Sequence, residues 1–256
     1  MTPVVIAELC AFSFLAGFID SVVGGGGLVQ LPALLILLPG VPIPTIFGTN
    51  KISSLAGTSV AASQYARRSL VQWHVIAPAA GAAFVFSFLG SMAVAHANPA
   101  FLRPVILVLL IATAAYVYFV RNAGLVHQPR HSHVRGRWLA VLTGAALGFY
   151  DGFFGPGTGS FLIFIFIGMF GFDFLFASAS AKVINCGTNL ASVIYFAGTG
   201  HILYRLAVPM AAFNILGSIT GTRLAILKGS SFVRRFFLVV VLALIAKLGY
   251  DLLHAR

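Results

Sequence analysis

Charged side chains are scarce in this chain of 256 residues: Asp, Glu, Lys and Arg together make up 8% of it, and only five residues are acidic. An ordinary soluble domain contains about 25% charged residues. Apolar residues make up 59% of the chain, and uncharged apolar stretches recur from one end to the other. Such stretches, when about 18 residues or longer, are typical of membrane-spanning helices. We therefore predict an all-α, polytopic membrane protein without a sizeable water-soluble domain.

The motifs of several enzyme classes are also missing. The chain contains no GxxxxGK[ST] phosphate-binding loop, no HExxH zinc motif and no GxSxG nucleophile turn. These absences disfavour a nucleotide-driven pump and a membrane-embedded enzyme, and we expect neither catalysis nor a cofactor. Only two cysteines occur, Cys10 and Cys186, and they lie in apolar stretches without CxxC spacing. We expect both to be free thiols.

The formal net charge of +11 has a topological explanation. Basic residues stand mostly at the ends of apolar stretches, where the positive-inside bias places them on the cytoplasmic side of a membrane. No basic helix with interleaved aromatic residues lies outside these stretches, so the charge does not indicate nucleic-acid binding. The three most basic connections are therefore expected in the cytosol. They are the doublet Arg67-Arg68, the segment 121–137, and the cluster of Arg223, Lys228, Arg234 and Arg235.

Ten uncharged or nearly uncharged elements follow one another along the chain, five on each side of a polar connection. They are 4–23, 28–38, 45–66, 71–96 and 104–120, then 138–154, 160–172, 174–198, 206–226 and 232–250. Residues 121–137 form the basic linker, so we predict a first membrane repeat at 1–120 and a second at 138–256. The linker contains His127, His131 and His133 without a carboxylate or thiol, which favours a cytosolic connection over a metal site.

The second half of the chain repeats the first at a constant offset of 131 residues. Asp20 recurs as Asp151 and Lys51 as Lys182, and both residue types are too scarce here for an easy coincidence. Each half holds an odd number of elements, so a cytosolic linker would place the second half upside down relative to the first, with both termini outside. Inverted repeats are common in secondary transporters, whose substrate binds near the bilayer midplane where the halves meet.

Glycine and proline interrupt the first part of each half, at residues 18–32 and 149–162. Unpaired backbone groups in lipid cost several kcal/mol each, so such a break is tolerated only inside protein or beside a wet cavity. A glycine turn followed by a new helix presents free N–H groups at a positive dipole end, which suits an anionic ligand. Close helix packing through small residues is the alternative interpretation.

Few ionisable residues are expected deep in the membrane: Glu8, Asp20, Lys51, Asp151 and Lys182, with Asp173 near an interface. Each costs about 2.5–3.5 kcal/mol at a helix centre and needs a partner, a cavity or a role. Lys51 and Lys182 are interpreted as starting helices rich in Ser, Thr and Asn, where they could bind an anion. Asp20 and Asp151 could carry a coupling proton or cap the half-helix after each break. A purely structural pairing of Asp20 with Lys51, and of Asp151 with Lys182, is the alternative.

These residues carry a resemblance to a known family. The stretch GFIDSVVGGGGLVQLPALL followed by Gly48-Thr49-Asn50-Lys51, and its partner GFYDGFFGPGTGSFL followed by Ser180-Ala181-Lys182-Val183-Ile184-Asn185, resemble the TauE/SafE family of bacterial membrane transporters, also called the sulfite exporter family. The resemblance covers nearly the whole chain. It implies a multi-pass permease of the bacterial cytoplasmic (inner) membrane without ATP-binding domains, some of whose relatives export sulfite, sulfoacetate or other sulfur-containing and organic anions. Ala181 stands where the first half has Asn50, so the two sites need not be equivalent.

The sequence therefore predicts a secondary transporter of a small anion that works without ATP hydrolysis, with a non-transporting membrane scaffold or accessory subunit as the alternative. The expected partners are the anionic substrate and the lipid bilayer. The candidates for proton coupling or structural pairing are Asp20 and Asp151. The candidate substrate-binding residues are Gly24, Gly25, Gly26, Gly27, Thr49, Asn50, Lys51, Gly155, Gly157, Thr158, Gly159, Ser180, Lys182 and Asn185.

Overall fold

A computed structural model describes residues 3–68, 70–98, 108 and 133–254. The predicted element 104–120, apart from Val108, and linker residues 121–132 lie outside this part of the chain. Within it the protein forms eight α-helices and no strand, which confirms the all-α class. The helices are α1 (Pro3–Val23), α2 (Gly27–Leu37), α3 (Ile43–Ala66), α4 (Trp73–His96), α5 (His133–Phe153), α6 (Thr158–Gly168), α7 (Phe174–Gly198) and α8 (Tyr204–His254).

Residues that favour turns and caps set several of these boundaries. α1 ends before Gly24, whose φ of 76° lies in the left-handed region that glycine adopts readily. α7 starts after Asp173, whose side chain accepts a hydrogen bond from the Phe176 amide at 2.8 Å. α8 is kinked at Gly229, where φ is 68°. The backbone at Gly229 is not helical, so the predicted elements 206–226 and 232–250 correspond to the two helices that join at this kink.

Three helices in the described part of the chain are long and apolar enough to cross a membrane: α1, α4 and residues Tyr204–Val233 of α8. α2 and α6 have 11 residues each. At 1.5 Å per residue they span about 16 Å, roughly half the hydrocarbon thickness of a bilayer. α3 and α7 match α4 in length, with 24 and 25 residues. They contain more polar residues, many of which are buried inside the protein.

Helices from the first half of the chain pack on helices from the second half. α1 packs mainly on α8, and α5 packs mainly on α4. α3 and α7 contact each other and run antiparallel, because Gly48 near the start of α3 adjoins Phe196 near the end of α7. At the other end of the pair, Tyr65 and Ser178 donate hydrogen bonds to consecutive backbone carbonyls of α1. This antiparallel pair positions the candidate site.

The helix boundaries follow the offset found in the sequence. α2, α3 and α4 start at Gly27, Ile43 and Trp73, and α6, α7 and α8 start 131 residues later, at Thr158, Phe174 and Tyr204. Lys51 and Lys182 lie two turns inside α3 and α7, so the prediction that they start helices is wrong. Each helix begins two turns earlier, after Pro42 or the N-cap Asp173.

Candidate functional site

The two glycine turns predicted as helix breaks lie against each other. The backbone of Gly24, between α1 and α2, abuts the backbone of Gly159 in the first turn of α6 so closely that a Cβ atom on either residue would overlap the other. Gly155 and Gly157 have φ values of 96° and 84°, which glycine adopts without strain. The starts of the two half-length helices therefore meet inside the protein, where an interrupted backbone is shielded from lipid.

Two ion pairs flank the meeting point of the turns, and each joins one half of the chain to the other. Lys51 Nζ in α3 lies 2.6 Å from Asp151 Oδ2 at the end of α5. Lys182 Nζ in α7 lies 2.9 Å from Asp20 Oδ2 at the end of α1. The predicted pairing of Asp20 with Lys51 and of Asp151 with Lys182 is therefore wrong. The partners are exchanged because α1 and α5 each pack across the boundary between the halves.

The two pairs differ in their surroundings. Lys51 also donates to the backbone carbonyl of Asp151 at 2.8 Å, and the two side chains are 5% and 7% exposed. The Lys182 side chain is fully buried, but its partner Asp20 is 21% exposed and accepts a further hydrogen bond from Thr58 Oγ1 at 3.3 Å. A buried ion pair depends strongly on both partners, because the charge left after removal of one is poorly solvated. Asp20 is the more accessible of the two carboxylates.

A small cavity of about 30 Å³ lies between these pairs and the glycine turns. Such a volume accommodates about two water molecules. Eight predicted substrate-binding residues line it: Gly24, Gly27, Asn50, Lys51, Gly155, Gly157, Gly159 and Asn185. Asp20 and Asp151 line it as well, together with three residues that the sequence patterns did not predict, Ser54, Thr58 and Asn189.

The three additional residues occupy regular helical positions relative to the two lysines. Ser54 and Thr58 follow Lys51 by three and seven residues, and Asn189 follows Lys182 by seven. Residues at these spacings share one face of an α-helix. A helical projection of the polar residues around each lysine could therefore have found all three.

Six of the predicted substrate-binding residues do not line the cavity. Lys182 does not line the cavity but donates a hydrogen bond to Asp20, which does. Gly26 faces the Ala16 carbonyl and the Asp20 Cβ atom. Thr49 Oγ1 donates to the Thr45 carbonyl and accepts from the Leu203 amide, so it tethers α3 to the start of α8. The other three are Gly25, Thr158, whose hydroxyl donates to the Gly155 carbonyl at 2.7 Å, and the buried Ser180.

Several polar groups at the cavity have no partner in the described part of the chain. The Oδ1 atoms of Asn50 and Asn185 are buried without a hydrogen bond. The amide of Gly27, which lines the cavity, has no backbone acceptor among the described residues. Neither do the amides of Gly25 and Gly26, which do not line it, as expected where a helix begins. The N-caps of α2 and α6 are Gly26 and Gly157, and neither has a side-chain cap. The prediction that Asp20 and Asp151 cap the half-helices is therefore wrong.

The site combines the groups that an oxyanion requires. The Lys51 ammonium, the asparagine side chains and the free N–H group of Gly27 are donors. Charge-assisted hydrogen bonds to an anion are the stronger kind. No group of three or more His, Cys, Asp or Glu side chains that could hold a metal ion occurs among the described residues. Two carboxylates and two ammonium groups give the site no net formal charge.

Comparison with known proteins identifies the class. The family described as "Sulfite exporter TauE/SafE" matches residues 9–248, and the chain belongs to this family of membrane transporters. A relative from Sinorhizobium sp, "Probable membrane transporter protein ORF9", is 36% identical over 97% of this chain and 94% of its own length. "Probable membrane transporter protein" of Haemophilus influenzae is 33% identical over 96% and 95%. "Probable membrane transporter protein YfcA" of Escherichia coli K12 is 32% identical over 98% and 92%. No solved structure matches the chain.

Proposed function

We propose that this protein is a secondary transporter that moves a small anion across the bacterial cytoplasmic membrane without ATP hydrolysis. Sulfite, a sulfonate or another sulfur-containing or organic anion is the proposed substrate class, in line with the description of the family. The observation that carries the proposal is the small polar cavity, where two half-length helices begin beside a buried and a partly buried Lys–Asp pair. A scaffold protein has no evident use for buried charges that line a cavity, because each is costly in a membrane.

Transport requires the cavity to open. A volume of about 30 Å³ is too small for an oxyanion of four heavy atoms, so the cavity must widen before it can hold one. Tyr65 and Phe196 occupy equivalent positions, 131 residues apart, seven residues beyond Thr58 in α3 and Asn189 in α7. Both are fully buried. Each lies about 10 Å along its helix from the cavity lining, and the antiparallel arrangement of α3 and α7 puts them at opposite ends of the cavity.

The two aromatic residues are proposed as the gates of an alternating-access cycle. The Tyr65 hydroxyl donates to the Ser21 carbonyl at 2.8 Å, which ties the end of α3 to α1. Phe196 packs against Gly48 at the start of α3. Release of one contact at a time would open the cavity to one side only. The two halves are proposed as inverted repeats of about five membrane elements each, with the basic linker in the cytosol and both termini outside.

Removal of each gate is expected to expose the cavity to a different side of the membrane. In a background without Cys10 and Cys186, we expect Thr58→Cys combined with Tyr65→Ala to react with a membrane-impermeant thiol reagent from the cytosolic side. Asn189→Cys combined with Phe196→Ala should react from the opposite side. Each cysteine with its gate intact is the control and should react slowly. Labelling of both double variants from the same side would refute the inverted arrangement.

The absence of net charge at the site suggests how an anion could be coupled to a proton. Each lysine charge is already balanced by a carboxylate, so an added anion meets no free positive charge. Protonation of one carboxylate would neutralise it and leave its lysine free to balance the anion. Asp20 is the more exposed carboxylate and the better candidate, because a proton can reach it from the cavity. In this scheme the Lys182 ammonium becomes free to compensate the anion when Asp20 is protonated.

Asp20→Asn is therefore expected to remove the dependence of anion flux on a pH gradient, since the neutral amide has a similar shape but cannot exchange a proton. Exchange of anion for anion across the membrane should continue. Flux of labelled sulfite in proteoliposomes, with and without a pH gradient, measures both. Thr58→Val, which removes a hydrogen bond to Asp20 but keeps its carboxyl group, is the matched control and should retain the pH dependence. Loss of exchange together with coupling would contradict this role for Asp20.

A further inference from the structure

A second pocket, separate from the central cavity, opens at the end of α3. It has a volume of about 460 Å³ and is lined by Gln64, Arg67, Arg68, Arg223, Ile226 and Leu227. The first three residues belong to the last turn of α3 and the connection that follows, and the other three belong to α8. Ser218 of α8 donates to the Gly57 carbonyl of α3 at 2.6 Å, which holds the two helices together just before the pocket.

The three arginines have no acidic neighbour in the described part of the chain. Its two ion pairs are both at the central site, and all three guanidinium-bearing residues are exposed. Three positive charges that line one concave surface without a counter-ion repel one another. An anion with several oxygen atoms would relieve this repulsion, and guanidinium groups bind phosphate in bidentate geometry.

The pocket lies where a bilayer would meet water. Arg205 and Arg223 are separated by 18 residues of α8, about 27 Å along the helix, which is close to the hydrocarbon thickness of a membrane. The pocket therefore adjoins one interface, and the positive-inside bias assigns it to the cytosolic leaflet. Leu227, at 82% exposure, and Ile226 give the pocket an apolar side next to its basic side.

This pocket has no counterpart in the other half of the chain. At the offset of 131 residues, Arg67 and Arg68 correspond to Gly198 and Thr199, and Arg223 corresponds to Met92. The basic character of the pocket is thus confined to one end of the helix bundle. A site required for the transported anion on both sides of the membrane would be expected to occur twice.

We infer that this pocket binds the phosphate-bearing headgroup of an anionic phospholipid from the cytosolic leaflet. The three arginines hold the phosphate, and Ile226 and Leu227 contact the acyl chains where they leave the headgroup. Basic pockets between membrane helices on the cytoplasmic side are a known mode of lipid recognition. A free oxyanion would bind the arginines through the same kind of oxygen atoms. It would not cover the apolar side of the pocket formed by Ile226 and Leu227, whereas an acyl chain would. The inference is independent of the proposed transport substrate.

Native mass spectrometry of the purified full-length protein in a neutral detergent tests this assignment. The wild type is titrated with phosphatidylglycerol and with phosphatidylcholine of the same acyl chains, and the bound lipids are counted. We expect phosphatidylglycerol to bind roughly tenfold or more tightly than phosphatidylcholine, because the choline cation neutralises the phosphate of phosphatidylcholine and is repelled by the arginines. Arg68→Gln with Arg223→Gln should abolish the difference. Arg205→Gln, at the start of α8 and about 27 Å from Arg223 along the helix, is the matched control and should keep the preference.

A second arm separates the lipid from a soluble ion. Inorganic phosphate at millimolar concentration, compared with chloride at equal ionic strength, should leave the bound phosphatidylglycerol in place. Displacement by phosphate, or equal binding of the two lipids by the wild type, would overturn the assignment. A preference for phosphatidylglycerol that survives in the Arg68→Gln, Arg223→Gln variant would overturn it as well. The melting temperature of that variant without lipid should be no lower than the wild-type value, because the substituted residues are exposed and their removal relieves charge repulsion.

Discussion

Lys51→Gln is expected to abolish anion transport and to lower the free energy of unfolding by about 3–5 kcal/mol, because it leaves Asp151 buried without its partner. Lys51 is buried and donates to both the carboxylate and the backbone carbonyl of Asp151. The corresponding change at Lys182 should cost less stability. Its partner Asp20 is partly exposed and retains the hydrogen bond from Thr58. Melting curves and flux in proteoliposomes measure the two effects separately.

A paired variant distinguishes a structural role of Lys51 from a role in anion binding. Lys51→Gln combined with Asp151→Asn removes both charges and leaves no unpaired ion, so we expect most of the lost stability to return. Transport should not return, because the anion still lacks the Lys51 ammonium, which lines the cavity directly. Recovery of transport together with stability would show that the pair serves only the fold. A charge-swapped pair, Lys51→Asp with Asp151→Lys, that transports at the wild-type rate would lead to the same conclusion.

Gly159→Ala is expected to destabilise the protein by about 1–3 kcal/mol and to stop transport, since a single methyl group would be forced into the backbone of Gly24. The displacement would separate the starts of α2 and α6 and distort the cavity between them. Thermal unfolding in detergent and sulfite flux are the measurements. Gly159 lies in a helix and is not among the glycines with a positive φ, so the effect arises from the contact and not from backbone strain.

Gly81→Ala is the matched control for this substitution. Gly81 also lies inside a helix, but nothing is within 4 Å of the position that its Cβ atom would take. Alanine favours a helix over glycine by about 0.5–1 kcal/mol, so this variant should be as stable as the wild type or slightly more stable. Equal stability of the Gly159 and Gly81 variants would mean that the turns of the two halves do not touch as described.

The sequence predicted the elements of the site better than their arrangement. The scarcity of charge made Asp20, Lys51, Asp151 and Lys182 conspicuous, and all four lie at the central ion pairs. The glycine breaks were equally visible, because clustered glycine and proline interrupt an apolar stretch that would otherwise form a continuous helix. These features depend on local composition and on the repeat, both of which a single sequence displays directly.

The choice of ion-pair partners could not be obtained in this way. Asp20 is nearer to Lys51 than to Lys182 in sequence, and an internal repeat suggests that each half is complete in itself. The exchange of partners follows from the packing of α1 on α8 and of α5 on α4, which is a tertiary property. The lining residues Ser54, Thr58 and Asn189 were missed for a different reason. Their positions are periodic, but Ser, Thr and Asn attract less attention than a charge.

The central claim is that a small anion crosses the membrane through the cavity between the two Lys–Asp pairs. Its most direct test is solid-supported-membrane electrophysiology of the purified protein, with sulfite, sulfate, thiosulfate, sulfoacetate and small carboxylates applied to the wild type and to the Lys51→Gln, Asp151→Asn variant. We predict a current evoked by at least one sulfur-containing anion in the wild type, and none in the variant although it remains folded. Equal currents in both proteins, or no response of the wild type to any of these anions in the presence or absence of a pH gradient, would contradict the claim.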